Sequence, residues 1–148
     1  MEVLFEKIEN MPARDVFHDA VKRGLITDGW EITHDPLPVS FELGDMYIDL
    51  GAEKLLAAQR GEVKIAVEIK SFVRTSAISE FHTALGQFIN YRLALSEIEP
   101  ERILYLAIPI DAYSSFFTIR LVQNVIRIHQ LKLIVYNPET EEIVEWIE

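Results

Sequence analysis

Two short segments carry residue types that could work on a phosphate ester. Asp49 stands in Tyr47-Ile48-Asp49-Leu50-Gly51, and Glu68 and Lys70 stand in Ala66-Val67-Glu68-Ile69-Lys70-Ser71. Two carboxylates side by side repel unless a positive charge sits between them. A hard divalent cation is the natural occupant. Mg²⁺, or Mn²⁺ in its place, takes oxygen ligands, keeps several waters and often uses one or two carboxylates plus a phosphate. Asp49 and Glu68 are the expected ligands. A metal so held polarises a phosphoryl oxygen and helps deprotonate water. An ammonium at Lys70 would orient that water or offset charge building on the phosphate.

This chemistry needs extended segments that aim the three groups one way. Met46–Leu50 and Val63–Lys70 read as strands, with Ala52–Ala58 between them as strand or helix. Alternation puts Ile65, Val67 and Ile69 on one face. Lys64, Ala66, Glu68 and Lys70 fall on the other, expected to be solvent-tolerant. A hairpin turning at Arg60-Gly61 would set Glu68 opposite Glu53, Lys70 opposite Gly51 and residue 72 opposite Asp49. Asp49 then joins the Glu68 and Lys70 face, while Ile48, Leu50 and Leu56 join the apolar one. A one-residue slip would mix the two sets. Taken alone, Glu-x-Lys on a strand is also the pattern of a solvated ladder.

Downstream, Gln87 and Tyr91 lie one helical turn apart. They read either as companions of Lys70 or as a surface amide and a rim aromatic. Gly86 beside them costs a helix about 1 kcal/mol against alanine, which a close approach to the sheet would explain. Asp15 and Asp19 are also one turn apart, with His18 between them. Asp19 either pairs with Arg23 on a solvated face or completes the metal site. His18 and His34 are candidate proton carriers or phosphate contacts, without metal spacing.

The elements around these residues suit an α/β domain. Asp15–Asp28 has helical spacing (Val16, Phe17, Ala20, Val21, Leu25) and stops at Gly29. Trp30–His34 alternates as a strand, and Asp35-Pro36-Leu37-Pro38 breaks it. Ile78–Ser96 is the clearest helix. Leu104–Ile108 is an unbroken apolar run, as in a buried central strand. Ala112–Phe117 and Ile119–His129 read as helices, and Leu131–Tyr136 and Ile143–Ile147 as strands. The order is α-β-β-β-α-β, then helix and two strands, which predicts a mixed sheet flanked by helices. The 148 residues suit one domain over 11–148, with 1–10 as an N-terminal arm.

Composition excludes several classes. The chain has no cysteine, so no disulfide scaffold or thiolate metal site, and it fits a reducing cytoplasm. No apolar run reaches membrane length, and Met1–Asn10 does not read as a secretory signal. With 14 basic and 24 acidic residues the net charge is -10. Its average field repels phosphate, so DNA binding by the protein alone should be weak. A metal, a local basic patch or a partner would have to supply attraction. No basic recognition helix stands out.

At two levels the residues resemble known families. Asp49, Glu68-x-Lys70 and Gln87-x-x-x-Tyr91 resemble the PD-(D/E)xK restriction-endonuclease-like superfamily, the last motif being similar to its RecB-like branch. Ile48 replaces the proline of that pattern. This resemblance implies a metal-dependent endonuclease with Asp49 and Glu68 as ligands and Lys70 as catalytic lysine. Many nucleases of that superfamily pair to cut both strands, so it also allows a homodimer. A wider resemblance runs from Met11 through His18-Asp19-Ala20-Val21, Thr33-His34-Asp35-Pro36-Leu37, the Asp49 and Glu68 segments and Ala84-Leu85-Gly86-Gln87 to Glu142-Ile143-Val144-Glu145-Trp146-Ile147. It is similar to the XisH family, cyanobacterial fdxN element excision controlling factors. That implies a role in DNA rearrangement beside a site-specific recombinase and the companion factor XisI. A nuclease-fold regulator that binds XisI, recombinase or DNA without cutting fits the same resemblance.

Overall fold

Leu56, Ala58, Ile65, Val67 and Ile69 occupy alternate positions of two adjacent extended segments, and all five are buried in one cluster. Leu55, Ala57 and Ala66, at the intervening positions, are buried in a second cluster. A sheet with both faces covered follows. The computed structural model describes residues 13–39, 55–73 and 76–148.

Its elements run α1 (Ala13–Thr27), β1 (Glu31–His34), β2 (Leu55–Arg60), β3 (Val63–Ile69), α2 (Ala77–Ile98), β4 (Arg102–Pro109), α3 (Ile110–Ser114), a 3₁₀ turn (Phe116–Thr118), α4 (Arg120–Ile128), β5 (Leu133–Asn137) and β6 (Glu142–Ile147). The strands form one six-stranded sheet in chain order. β4 pairs parallel with both β3 and β5, and the other neighbours are antiparallel. Among the described residues the order is again α-β-β-β-α-β, but its second strand is Leu55–Arg60, from the segment read as strand or helix, and two helices, a 3₁₀ turn and two strands follow β4. β4 has partners on both edges and apolar layers on both faces, hence its unbroken apolar run.

Each face has its own helices. On one, Ala20, Val21 and Leu25 of α1 pack with Trp30, Ile65, Val67, Tyr105, Ile134 and Tyr136. On the other, Phe81, Ala84, Phe88, Ala94 and Leu95 of α2 and Val122 of α4 pack with Leu55, Ala66, Leu104, Leu106, Leu133 and Val135. The Ser76 hydroxyl accepts from Ser79 N–H and caps α2. Gly29 (φ 90°) ends α1, and Gly61 (φ 61°) turns the β2–β3 hairpin, both in the left-handed region that glycine tolerates.

Several expectations are refined. The hairpin turns on Gly61-Glu62, with Arg60 opposite Val63, so Glu68 faces Leu55 rather than Glu53. The shift is two residues, which preserves the faces. Met46–Leu50, residues 51–54 and the N-terminal arm lie outside the described residues. Ala112–Phe117 resolves into α3 and the 3₁₀ turn rather than one helix. The face carrying Glu68 is not solvent-tolerant: α2 lies over it and seals it. Gly86 does not approach the sheet either, since a Cβ built there meets nothing within 4 Å.

That open position makes a stability test. Gly86→Ala should raise stability by about 0.5–1 kcal/mol, through helix propensity and a less flexible unfolded chain. Urea denaturation of the two proteins checks it.

Candidate functional site

β3 ends at Ile69, but Lys70 N–H still donates to the Ala107 carbonyl of β4 at 3.0 Å. This further rung keeps Lys70 in pleat with Glu68. Both side chains therefore point toward α2, and both are buried, Glu68 at 3% exposure and Lys70 at 2%. The Lys70 Nζ lies 3.7 Å from Glu68 Oε1 and donates to Gln87 Oε1 at 2.5 Å. Gln87 reaches it because α2 runs across this face. The structure thus gathers Glu68, Lys70 and Gln87. Tyr91, one turn further along α2, is buried at 4% exposure rather than placed at a rim.

Glu68 is the anomaly of the site. Neither carboxylate oxygen has a hydrogen-bond partner among the described residues. Burial pushes its carboxyl well above the usual carboxylate range. A buried acceptor left unsatisfied is costly, and such groups in native proteins commonly mark function or a bound ion. Two buried carboxylate oxygens without a hydrogen bond among the described residues suit a hard cation. Among the described residues no three His, Asp or Glu side chains cluster for a metal. Asp49, the expected second ligand, lies outside them.

The main chain around Lys70 is also held. The Tyr136 hydroxyl, from the end of β5, donates to the Lys70 carbonyl at 2.9 Å. Phe72 adopts a left-handed φ of 53°, and its N–H donates to Glu80 Oε1 at 3.1 Å. Glu80 is itself buried at 5% exposure, and its Oε2 has no partner among the described residues. Burial, and then the charge of Glu80, raise the Tyr136 hydroxyl pKa, so it remains a donor. The sequence reading singled out neither residue. Glu80 looks like an ordinary first-turn acid, and Tyr136 like the last apolar residue of a strand. Contacts this distant in sequence leave no local signal.

The remaining candidates sit elsewhere. His18 Nε2 is 2.8 Å from Asp35 Oδ1, and Lys22 Nζ donates to Asp35 Oδ2 at 3.0 Å. His18 and Asp19 belong to α1, the helix on the opposite face. The expected Asp19–Arg23 pair is replaced: Arg23 bonds Glu141 at 3.1 Å, because β6 passes beside α1. His34 Nδ1 contacts Thr33 Oγ1 at 3.0 Å.

The chain as a whole is similar to known proteins. The family model described as XisH protein matches residues 11–144. A crystal structure of an XisH family protein from Nostoc punctiforme PCC 73102 is similar, with TM-score 0.83 and 52% identity, covering 90% of this chain and 100% of that one. A crystal structure of a fdxN element excision controlling factor protein from Anabaena variabilis is similar too, with TM-score 0.84 and 52% identity, covering 91% of this chain and 100% of that one. No curated protein matches the sequence.

Two outcomes follow from the geometry. Tyr136→Phe leaves the Lys70 carbonyl buried without its donor and should cost about 1–2 kcal/mol in urea denaturation. At Asp35, burial pushes the carboxyl up, but hydrogen bonds from Lys22 and His18 outweigh it and hold the pKa below its usual 3.8. A lowered folded pKa stabilises above the unfolded value and is lost as pH falls through the folded one. The gap in urea midpoint between wild type and Asp35→Asn should therefore be present at neutral pH. It should close below about pH 4, the ordinary aspartate range.

Proposed function

The chain belongs to the XisH family, and from that premise we propose that it is a controlling factor in excision of a DNA element and acts through a metal-dependent phosphodiester site. The excision role is stated of the Anabaena variabilis relative, and this reading carries it to the present chain. The observation that carries the chemical part is the buried Glu68 carboxylate, whose two oxygens have no hydrogen bond among the described residues although Lys70 lies 3.7 Å away. The donors are all oxygen, which fits Mg²⁺ or Mn²⁺ and not a thiolate-loving metal.

In this reading Asp49 and Glu68 hold the cation, with help from the Ile69 carbonyl. When bound, it supplies charge stabilisation at a phosphoryl oxygen and a more acidic water. Lys70 orients the attacking water and offsets charge on the phosphate oxygens. Gln87 fixes the ammonium through its side-chain oxygen, so Lys70 need not reorganise as charge develops. Tyr91 packs beside Gln87 and keeps the helix seated. The α2 layer excludes bulk water, which strengthens each electrostatic contact. The reading places the chain in the PD-(D/E)xK superfamily.

One observation favours a second reading. A net charge of -10 opposes unaided DNA binding. A catalytically silent regulator that docks on an XisI-like companion, a site-specific recombinase or DNA would not need the cation.

Thermal unfolding with added Mn²⁺ separates the two. The midpoint should rise in wild type and not in Glu68→Gln, since a ligand stabilises only the state that binds it. Cleavage of DNA with Mg²⁺ or Mn²⁺ should fall at least about a hundredfold in Lys70→Ala and in Asp49→Ala. Equal midpoints and equal cleavage across the variants would leave the regulator reading standing.

A further inference from the structure

The acidic residues are distributed unevenly. Residues 81–96 and 112–138 contain no Asp or Glu, and they carry Arg92, Arg120, Arg127 and Lys132, so they hold +4 in a chain of net -10. These two stretches contribute most of the helix layer over Glu68 and Lys70: the length of α2, the 3₁₀ turn and all of α4. Glu80 and Glu97, in the first and last turns of α2, and Asp111 bound the two stretches, and Glu80 is buried. The α1 side differs, with Asp19, Asp28, Glu31, Glu142 and Glu145 on or beside it. Among the described residues the two faces thus differ in charge, and the less acidic one lies above the candidate site.

The layer is continuous and tied to the Lys70 turn. Arg92 Nη1 donates to the His129 and Gln130 carbonyls at 2.8 and 3.2 Å, joining α2 to the end of α4. At the other end Phe72, two residues past Lys70, packs on Phe117 and Phe116 with ring centroids 5.2 and 6.1 Å apart. Arg120 and Arg127 are exposed on α4, and exposed neutral hydrogen-bonding side chains accompany them. Arginine with neutral donors and no carboxylate is the surface chemistry of sugar–phosphate docking.

We propose that this carboxylate-poor layer of α2 and α4 is where a nucleic-acid backbone docks on its way to the Lys70 turn. The inference rests on the phosphodiester reading and deepens it, because it supplies the local attraction that the net charge denies. Leu121 and Ile128 are also exposed on α4; an acidic protein partner would use them, and that occupant is an outcome of the test.

The test measures binding of a mixed-sequence duplex, as DNA and as RNA in parallel arms, over a salt series. The double variant Arg120→Glu, Arg127→Glu is compared with a charge-matched pair on α1, Lys22→Glu, Arg23→Glu. The α4 pair should weaken binding about tenfold or more and lower the slope of log affinity against log salt by about two. The α1 pair should change affinity less than about twofold, as distant surface charges are screened. Preference between the arms names the nucleic acid. Wild type that binds neither duplex overturns the proposal. So does binding that survives in the α4 pair, as it would if the face served an acidic protein, or that falls equally in both pairs. Glu68→Gln keeps the outcomes distinct. Binding through α4 without any cleavage leaves docking standing and removes the hydrolytic reading. Cleavage that needs Glu68 but ignores α4 does the reverse.

Discussion

Much of this structure depends on burying an opposite-charge pair that is not a close hydrogen bond. Glu68 and Lys70 sit 3.7 Å apart at a few per cent exposure. Taking both groups out of water is costly, and burial pushes the Glu68 carboxyl toward its neutral form. Gln87 answers the ammonium, while the carboxylate is left with no hydrogen bond among the described residues. A core evolved for stability alone would fill these positions with aliphatic side chains. The surrounding sheet and helices must therefore be strong enough to hold an arrangement that does not stabilise itself.

They manage this through the pleat. β3 alternates so that Ile65, Val67 and Ile69 face α1 while Ala66 and Glu68 face α2. Parallel pairing to β4 then fixes the level at which Glu68 emerges, opposite Leu106. Ala57 and Ala66 are buried in the same cluster as the α2 residues, and the long Lys70 side chain spans the remaining gap to Gln87. Packing, register and site geometry are here one constraint seen at three scales.

The sequence made the architecture legible where periodicity was strong. The helix around Phe81–Leu95, the buried run Leu104–Ile108 and the alternation through Val63–Ile69 each announce their state. Parity also survived an error: the hairpin turn is one residue further on, yet Glu68 and Lys70 keep a common face because pairing moved by two. What the pattern hid was burial. Glu and Lys at alternate positions look solvated, since no local rule shows that the helix beginning at Ala77 will cover them. Glu80 and Tyr136 were illegible for a related reason, as their partners are backbone groups brought near only by the tertiary fold. Gly86 misled in the opposite way, because its lack of a side chain serves no packing purpose that the described residues show. Asp49, singled out by its strand context and then by the resemblance, lies outside the described residues.

The tie between Tyr136 and the Lys70 carbonyl spans 66 residues of chain. During synthesis, β3 and α2 emerge from the ribosome well before β5. A nascent chain can thus form the hairpin and lay α2 across it while the turn after β3 still lacks its hydroxyl donor. Completion of that turn waits for the parallel strand beyond α4. The backbone geometry around Lys70 is therefore complete only once one of the last elements of the chain has joined the sheet.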